Sequence, residues 1–384
     1  MDIKLMNKIA EVGLEELEDY KCSEDIEEYD AIMVRSAKLH DTVFSKNCKC
    51  IARAGAGVNN IPLDRCSEEG IVVFNTPGAN ANAVKELVIA GLILSGRKIA
   101  KGIEWVKTIE DDDMSKTVEK GKSNFVGPEI AGKRLGVIGL GAIGVKVANA
   151  AKALGMKVYG YDPYISVDAA WTLASDIKHA KDLDKIFKKC DYITVHVPYM
   201  EATKNIINAE AFEKMKDGVR ILNFARGGLV DEEALMKNMD TGKVACYVTD
   251  FPTKELLAYD NVIAMPHLGA STPESEENCA VMAAKSIKEF LEKGNIINSV
   301  NLPNVKMPQS YKTRICIINR NLPDVLSRLS SVLGKLGINI EDMYSKAKKD
   351  FSYTLIETDD DVNDEIIEKI KAEEHIITAR KIVK

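Results

Sequence analysis

Residues 133–162 read KRLGVIGLGAIGVKVANAAKALGMKVYGYD, and this stretch decides the fold of the chain. An apolar run leads into a glycine-rich turn, a helical pattern, a second apolar run and a terminal acid. This order predicts a strand, a turn, a helix and a second strand, which together form a dinucleotide-binding unit. The backbone amides of the turn and of the helix N-terminus are expected to bind a pyrophosphate. The expected binding residues are Gly139, Gly141, Ala142, Ile143 and Gly144.

The acid that ends the second apolar run indicates which cofactor is bound. Asp162 lies about 20 residues beyond Gly139, the spacing expected of a carboxylate that accepts hydrogen bonds from an adenosine ribose. Residues 163–166 include no arginine that could receive a 2′-phosphate, and Asp162 would itself repel that group. The sequence therefore favours NAD over NADP.

Composition and charge argue against several classes of protein. The 384 residues carry a net charge of −6, without the block of basic residues typical of a nucleic-acid-binding surface. The most apolar stretch, residues 87–94, is too short to cross a bilayer, and the N-terminus lacks a signal-peptide pattern. The eight cysteines are scattered without metal-ligand spacing, so we expect free thiols and no metal site. We therefore expect a cytoplasmic protein that binds neither nucleic acid nor membrane.

The pattern of the first 300 residues predicts an α/β protein with two Rossmann-like parallel-sheet domains, because apolar runs alternate with helical patterns. Helical patterns at 83–101 and 273–293 flank the nucleotide-binding unit as hinges. The expected substrate-binding domain is discontinuous (1–100 and 273–305), the NAD-binding domain spans 101–272, and the substrate is expected in the cleft between them. The predicted strands are 31–34, 51–54, 71–74, 135–138, 158–161, 192–195, 221–223 and 262–264.

Residues 312–384 follow a linker rich in asparagine and form a different pattern. Their predicted elements occur in the order strand, helix, strand, strand, helix, strand. This βαββαβ order predicts a C-terminal ferredoxin-like domain. The predicted bounds are 314–318, 322–336, 338–346, 350–357, 363–372 and 376–383.

Polar residues directly follow two predicted strands, where ligands of open α/β sheets bind. Arg226 precedes two glycines, and His267 follows Pro266. A fixed guanidinium can hold a carboxylate and polarise a carbonyl oxygen, and an imidazole can exchange a proton with the substrate. A structural salt bridge for Arg226 and a purely structural role for His267 stay open as alternatives. Together the two residues indicate an oxidoreductase that acts on a small anion.

Four motifs resemble those of the D-isomer-specific 2-hydroxyacid dehydrogenases: GLGAIG (139–144), HVP (196–198), NFARGGLVDEEAL (223–235) and PHLGAST (266–272). The resemblance covers essentially the whole chain, including an ACT-like C-terminal domain. It implies three catalytic residues, Arg226, His267 and Asp250. The NAD-binding residues that it implies are Asp162, His196, Val197, Pro198, Thr203, Ala225, Arg226, Asp250, His267, Gly269 and Ala270, in addition to the glycine-rich turn.

The outer domain contains segments that are similar to the family's substrate loops, at 34–36, 53–61 and 75–80. Loop capping is an equally good interpretation for Ser36 and Asn80. Arg35 has the better case, because a phosphorylated substrate requires a cation beyond the catalytic arginine. The implied substrate-binding residues are Arg35, Ser36, Gly55, Ala56, Gly57, Asn80, Arg226 and His267.

The resemblance implies a reaction and an assembly. The expected reaction is the NAD-dependent oxidation of 3-phospho-D-glycerate to 3-phosphohydroxypyruvate, the first step of L-serine biosynthesis. One alternative is a glyoxylate or hydroxypyruvate reductase or another D-2-hydroxyacid dehydrogenase. An alternative of another class is an NAD-sensing, corepressor-like interaction protein. The expected assembly is a homodimer or homotetramer.

The chain departs from the family pattern after Asp250. The family's Glu-Pro, whose glutamate pairs with the catalytic histidine, is missing from residues 250–256. Lys254 occupies the glutamate's position, and Glu255 could replace it only if the loop shifted by one residue. The carboxylate partner of His267 therefore stays open.

The ACT-like domain departs from its pattern as well. Asn321 and Asn339 match the positions that bind L-serine in such domains, but Asp324 replaces a glycine and Asn319 replaces a histidine. The domain is therefore expected either to bind L-serine as an effector or to serve only in oligomer assembly.

Overall fold

The computed structural model describes residues 1–384, and its internal contacts divide the chain into two compact units. The first unit comprises Met1–Asn80 together with Pro273–Lys384, and the second comprises Ala81–Thr272. The first unit is therefore discontinuous in sequence, and the second is one continuous segment.

The N-terminal part of the first unit is a five-stranded parallel sheet in the order β2-β1-β3-β4-β5. Its strands β3 and β5 are buried along their whole length. Strands β1 and β2 were not predicted, because β1 has a lysine between its apolar residues and β2 is only three residues long. The elements are β1 (Asp2–Leu5), α1 (Glu11–Glu15), β2 (Lys21–Ser23), β3 (Ala31–Val34), β4 (Cys50–Arg53), α2 (Leu63–Glu68) and β5 (Val72–Phe74).

The second unit is a seven-stranded parallel sheet in the order β12-β11-β10-β9-β6-β7-β8. The alternating pattern predicts a parallel sheet here but only five of its strands, without β8 (Lys178–His179) and β11 (Val244–Thr249). Short 3-10 helices occur at Lys122–Phe125 and Leu256–Ala258. The elements are α3 (Ala81–Gly96), α4 (Ile99–Lys107), α5 (Met114–Gly121), β6 (Arg134–Ile138), α6 (Ala142–Ala153), β7 (Lys157–Tyr161), α7 (Val167–Trp171), β8 (Lys178–His179), α8 (Leu183–Lys189), β9 (Tyr192–Val195), α9 (Ala209–Lys214), β10 (Val219–Asn223), α10 (Glu232–Asp240), β11 (Val244–Thr249) and β12 (Val262–Ala264).

Helix α3 belongs to the second unit, so the boundary falls at Asn80 rather than near residue 100. Its side chains share a core with residues of β6 and β10. A Cβ atom built at Gly91 would lie 3.0 Å from the ring of Phe224, which shows how closely the helix approaches the sheet. The helix ends at Gly96, and α4 begins after a two-residue break. The single helix predicted over 83–101 is therefore two helices.

The C-terminal part of the first unit begins with a long helix and ends in an antiparallel sheet of order β14-β15-β13-β16. The βαββαβ prediction is confirmed, and the predicted bounds of the long helix and of the last strand match the structure. The elements are α11 (Pro273–Lys293), β13 (Thr313–Arg320), α12 (Val325–Lys335), β14 (Asp342–Lys348), β15 (Phe351–Thr358), α13 (Asp364–Lys371) and β16 (Ile376–Val383).

One face of this antiparallel sheet packs on the C-terminal end of α11. Arg314 and Glu357 form a fully buried ion pair at 2.6 Å. Arg380 donates a hydrogen bond to the carbonyl of Leu291 at 3.0 Å, and the Tyr353 hydroxyl donates one to the carbonyl of Gly294 at 2.6 Å. These donors satisfy carbonyl groups that have no partner within the helix. The C-terminal domain is thus packed into the first unit.

Three further observations concern membrane spans, metal sites and the cysteines. No helix combines the length and the apolar character that a membrane span requires. No group of three or more histidine, cysteine or acidic side chains is arranged to hold a metal ion. All eight cysteines are free thiols.

Candidate functional site

The glycine-rich turn follows β6 and begins α6. Gly139 has a φ of 92°, a left-handed conformation that glycine adopts without strain. A Cβ atom at Gly144 would lie 1.9 Å from the carbonyl oxygen of Gly139, so only glycine allows the helix to approach the turn. A Cβ atom built at Gly141 would meet nothing within 4 Å, so the turn is open to a ligand there. This geometry fits a pyrophosphate on the N-terminus of α6, which Ala142 and Ile143 begin.

Asp162 follows β7 and holds the turn from the side. Its Oδ2 atom accepts a hydrogen bond from the Leu140 amide at 2.8 Å, and its Oδ1 atom accepts one from the Tyr164 amide at 2.8 Å. A carboxylate offers about four acceptor positions, so two stay available for ribose hydroxyls. Asp162 therefore has both a structural contact and spare capacity to bind a ligand.

His196 follows β9 and lies against the turn. A Cβ atom on Gly139 would come within 2.7 Å of the His196 carbonyl oxygen. The ring Nε2 atom lies 2.9 Å from the Thr194 hydroxyl, and the ring Nδ1 atom is buried without a partner. Burial lowers the pKa of His196 to about 4, so the imidazole is neutral at physiological pH.

The segment after His196 is held by hydrogen bonds within residues 198–203. The Thr203 hydroxyl donates a hydrogen bond to the carbonyl of Pro198 at 2.6 Å and accepts one from the amide of Met200 at 2.8 Å. The side chain of Val197 lies 2.9 Å from a Cβ atom built at Gly139. The hydroxyl of Thr203 thus has an internal structural role, which the sequence did not reveal.

Arg226 lies in the turn after β10, and the preceding buried asparagine shapes this turn. Asn223 accepts a hydrogen bond from the amide of Ala225 at 3.1 Å and donates one to the carbonyl of Arg226 at 2.8 Å. The Arg226 side chain is exposed, and its Nη1 atom donates to the carbonyl of Ala225 at 2.7 Å. The sequence analysis overlooked Asn223, although a buried asparagine at a strand end is a recognisable signal.

Asp250 and His267 lie at the ends of β11 and β12. Asp250 is only 3% exposed, and neither of its carboxylate oxygens has a hydrogen-bond partner. Burial raises the pKa of Asp250, while the charges of His267 and Arg226 act in the opposite direction. The His267 ring packs against Phe251 with 4.7 Å between ring centroids. An unpaired buried carboxylate is costly, and such groups concentrate at functional sites.

The three strand ends are in register, which brings their turns to one edge of the sheet. Asn223 pairs with Thr249, and Thr249 pairs with Ala264. Gly269 lies at this edge as well, because a Cβ atom there would be 3.9 Å from Asp250 Oδ2. Its neighbour Ala270 is exposed. Ligands of open α/β sheets bind at this carboxyl edge.

The segment after Asp250 supplies no other acid to His267. Lys254 and Glu255 are both exposed, and neither forms a hydrogen bond or ion pair through its side chain. The neighbouring Thr253 hydroxyl donates to Glu232 at 2.9 Å. Asp250 is the carboxylate whose charge interacts with His267.

Several of the implied substrate residues lie together at the carboxyl edge of the first unit's parallel sheet. Arg35 forms an ion pair with Glu276. The Arg53 Nε atom donates to the Arg35 carbonyl at 2.9 Å, which joins the turns after β3 and β4. The Asn75 side chain donates to the carbonyl of Ala56 at 2.6 Å. The amide of Thr76 donates to the carbonyl of Gly55 at 3.2 Å, and Gly57 lies against Arg53.

The other two residues of this set have no described side-chain contact in the first unit. The Ser36 amide donates to Asn7, but its hydroxyl forms no hydrogen bond, and the Asn80 side chain forms none. Asn7 was not among the predicted site residues. Its side-chain oxygen accepts hydrogen bonds from the backbone amides of Arg35, Ser36 and Ala37, at 3.0 Å each.

The positions implied for L-serine make internal contacts. Asn321 donates to the carbonyl of Lys349 at 3.0 Å, and Asn339 donates to Glu341 at 2.7 Å. Asp324 has a φ of 73° and accepts a hydrogen bond from Arg328 at 3.1 Å. Asn319 is buried, and its side-chain oxygen has no partner.

Comparison with known proteins adds independent information. Residues 90–269 match the family model described as D-isomer specific 2-hydroxyacid dehydrogenase, NAD binding domain, and residues 317–375 match the ACT domain. The chain is similar to the D-3-phosphoglycerate dehydrogenase of Synechocystis sp., with 37% identity over 325 residues that cover 81% of this chain and 56% of that protein. It is also similar to the hydroxypyruvate reductase of Thermotoga maritima, with 42% identity over 300 residues that cover 74% of this chain and 93% of that protein.

A solved structure shows the same similarity. The NAD⁺-bound 3-phosphoglycerate dehydrogenase of Entamoeba histolytica has 28% identity and a TM-score of 0.59, and the match covers 78% of this chain and 98% of that one. The chain spans between 56% and 59% of the length of three D-3-phosphoglycerate dehydrogenases that it matches, those of Synechocystis, Archaeoglobus fulgidus and Methanocaldococcus jannaschii.

Proposed function

This chain belongs to the D-isomer specific 2-hydroxyacid dehydrogenase family, and on that premise we propose that it oxidises 3-phospho-D-glycerate to 3-phosphohydroxypyruvate with NAD, the first step of L-serine biosynthesis. The observation that carries the chemistry is the buried, unpaired Asp250 at the same sheet edge as Arg226 and His267. The choice of substrate is supported by the phosphoglycerate dehydrogenases among the relatives, which match most of this chain.

The second unit supplies the cofactor-binding groups. The amides of the turn at 139–144 bind the pyrophosphate, and the spare acceptor positions of Asp162 bind the ribose. NAD bound by these residues would supply the hydride acceptor for oxidation of the substrate carbon. The negative charge of Asp162 disfavours a 2′-phosphate, so NAD is the expected coenzyme. The turn next to Gly139 is formed by His196, Val197, Pro198 and Thr203. We propose that this turn lines the nicotinamide side of the site, together with Ala225, Gly269 and Ala270.

Each of the three residues at the sheet edge has a different proposed role in the reaction. The Arg226 guanidinium binds the substrate carboxylate and polarises the oxygen that becomes the carbonyl. His267 removes the hydroxyl proton during oxidation and returns it during reduction. The Asp250 carboxylate favours the protonated imidazole that forms when His267 takes up the proton. His196 cannot share this role near neutral pH, because its pKa is about 4.

The first unit supplies the groups that recognise the phosphate. Arg35 brings a guanidinium that only a surface ion pair holds, so an anionic ligand can compete for it. The hydroxyl of Ser36 and the turn at Gly55, Ala56 and Gly57 complete the proposed contacts, together with Asn80. The exposed Glu276 balances the charge of Arg35 when no substrate is bound.

The C-terminal domain is proposed to bind L-serine as an effector and to take part in a homodimer or homotetramer. Its match to the ACT domain supports this proposal. Addition of L-serine to the assayed enzyme tests the effector role, and light scattering of the full chain tests the assembly. An unchanged rate at millimolar L-serine would leave assembly as the domain's function. The cytoplasmic location stays a prediction.

A substrate panel tests the proposed function. Purified full-length protein is mixed with NAD and, separately, 3-phospho-D-glycerate, D-glycerate and D-lactate, and with NADH and hydroxypyruvate or glyoxylate. We expect the highest kcat/KM with 3-phospho-D-glycerate and a much lower value when NADP replaces NAD. A preference for hydroxypyruvate over 3-phospho-D-glycerate would favour the activity of the Thermotoga relative. NAD binding without turnover of any substrate would favour a sensor.

A further inference from the structure

We propose that Asn7 is a positioning residue that fixes the substrate loop at residues 35–37 and thereby sets the affinity for the phosphorylated substrate. This inference rests on the proposed function. It concerns a residue outside every motif that the sequence analysis identified, at the far end of the chain from the catalytic turns.

One side-chain oxygen of Asn7 holds three consecutive backbone amides. The amides of Arg35, Ser36 and Ala37 each lie 3.0 Å from Asn7 Oδ1. Successive amides that converge on one point form a concave nest, the geometry that binds an anionic oxygen elsewhere in proteins. Here the amide oxygen of Asn7 fills the nest. The conformation of the loop therefore depends on this one acceptor.

The sheet topology explains why residue 7 reaches this loop. Strands β1 and β3 are parallel neighbours, with Leu5 opposite Met33. The pairing continues one step further, because the amide of Met6 donates to the carbonyl of Met33 at 3.0 Å. The chain that leaves β1 therefore runs beside the chain that leaves β3. A short amide side chain at position 7 then spans the gap to the loop.

A second contact fixes the same peptide from its other side. The Arg53 Nε atom, at the end of β4, donates to the carbonyl of Arg35 at 2.9 Å. The amide and the carbonyl of Arg35 are thus both held, whereas its guanidinium is held only by Glu276 in a pair whose side chains are 46% and 42% exposed. The backbone is preorganised and the charged end can change partners. Preorganisation of this kind lowers the entropy lost when a ligand binds.

The proposal predicts a separation of kinetic constants. Asn7 belongs neither to the cofactor turn nor to the proposed catalytic residues, so its loss should weaken the binding of ground state and transition state alike. Such a change raises KM for the substrate and leaves kcat unchanged. General destabilisation of the protein would instead reduce the amount of active enzyme and lower kcat.

The test compares three variants of the full chain. Asn7→Leu keeps the volume and removes the acceptor. We expect KM for 3-phospho-D-glycerate to rise roughly tenfold, equivalent to about 1.4 kcal/mol, with kcat and KM for NAD unchanged within about twofold. Amide hydrogen exchange of residues 35–37 should be faster. Asn7→Asp retains an acceptor oxygen at the same reach and should restore the slow exchange, which is measured without substrate.

The matched control is Asn363→Leu in the same unit. The Asn363 side chain also accepts a hydrogen bond from a backbone amide, that of Ile366, at 3.0 Å at the start of α13. This variant should leave KM and the exchange of residues 35–37 unchanged. The proposal is overturned if Asn7→Leu leaves KM or the exchange of residues 35–37 unchanged, or if Asn7→Asp fails to restore the slow exchange. Failure of the wild-type protein to oxidise 3-phospho-D-glycerate would instead reject the proposed function, because the exchange measurement requires no turnover.

Discussion

The turn at 139–144 and the turn at 35–37 both present backbone amides at the end of a parallel strand, yet they are held in different ways. Gly139 and Gly144 set the geometry of the first turn from within the motif. The second turn is held by Asn7, Arg53 and Glu276, which are distant from it in sequence. A local motif can therefore specify a turn by itself, whereas the turn at 35–37, which we propose binds substrate, depends on the assembled sheet.

The comparison also separates chemistry from recognition, and His267→Asn is the sharpest test of this separation. The variant keeps a polar side chain of similar size but removes the acid/base group. We expect kcat to fall about 10²- to 10⁴-fold, while the dissociation constant for NAD changes little. Stopped-flow measurement of NADH formation and calorimetry with NAD check the two values. A large loss of NAD binding would contradict the role assigned to this histidine.

Gly144→Val tests whether the cofactor turn is specified by its own glycines. The new Cβ atom would meet the Gly139 carbonyl, so the turn and α6 must separate. We expect NAD affinity to fall at least about a hundredfold, equivalent to nearly 3 kcal/mol, as measured by calorimetry. Gly334→Ala in α12 is the control, because a Cβ atom there meets nothing within 4 Å. Retained affinity in Gly144→Val would break the comparison.

Arg35→Gln tests the recognition side. Charge-assisted hydrogen bonds contribute about 1.5–3 kcal/mol each, so we expect KM for 3-phospho-D-glycerate to rise roughly ten- to a hundredfold. KM for NAD should stay unchanged, and the loss of a surface ion pair should cost little stability. Steady-state kinetics with unphosphorylated D-glycerate provide the control. An equal effect on both substrates would show that Arg35 does not bind the phosphate.

Asp250→Asn gives the smallest expected effect and links function to stability. We expect kcat/KM to fall roughly tenfold, because the imidazolium loses its counter-charge. Burial raises the folded-state pKa of Asp250, so ionisation of the carboxyl group destabilises the folded protein. The free energy of unfolding therefore falls as the pH rises through that pKa. The uncharged variant should therefore be more stable than the wild type at pH 7, and this advantage should be largely lost at about pH 4, close to the ordinary pKa of an aspartate. Urea unfolding at both pH values checks the sign, and a destabilised variant at pH 7 would contradict it.

The sequence predicted the strand–turn–helix–strand unit at 133–162 because its signals are local. The glycine spacing and the acid at Asp162 belong to one strand–helix–strand unit, and the structure brings them into contact. The assignment of α3 to the second unit was not predicted. Sequence periodicity can show that a helix is amphipathic, but it does not show which sheet the helix packs on.

The substrate side was harder to predict for a related reason. Asn7 follows a short strand with no distinctive pattern, and its partners lie about 30 residues away. The partner of His267 stayed open because Lys254 and Glu255 are close in sequence, whereas strand register decides that Asp250 is the acid at that edge.

Transfer of a labelled hydride tests the central claim most directly. The full-length protein is mixed with NAD and 3-phospho-D-glycerate that carries deuterium at C2, and the NADH formed is analysed by NMR. The account predicts one deuterium at C4 of the nicotinamide ring, with much less NADH formed by His267→Asn. Absence of NADH, or NADH without the label, would contradict it.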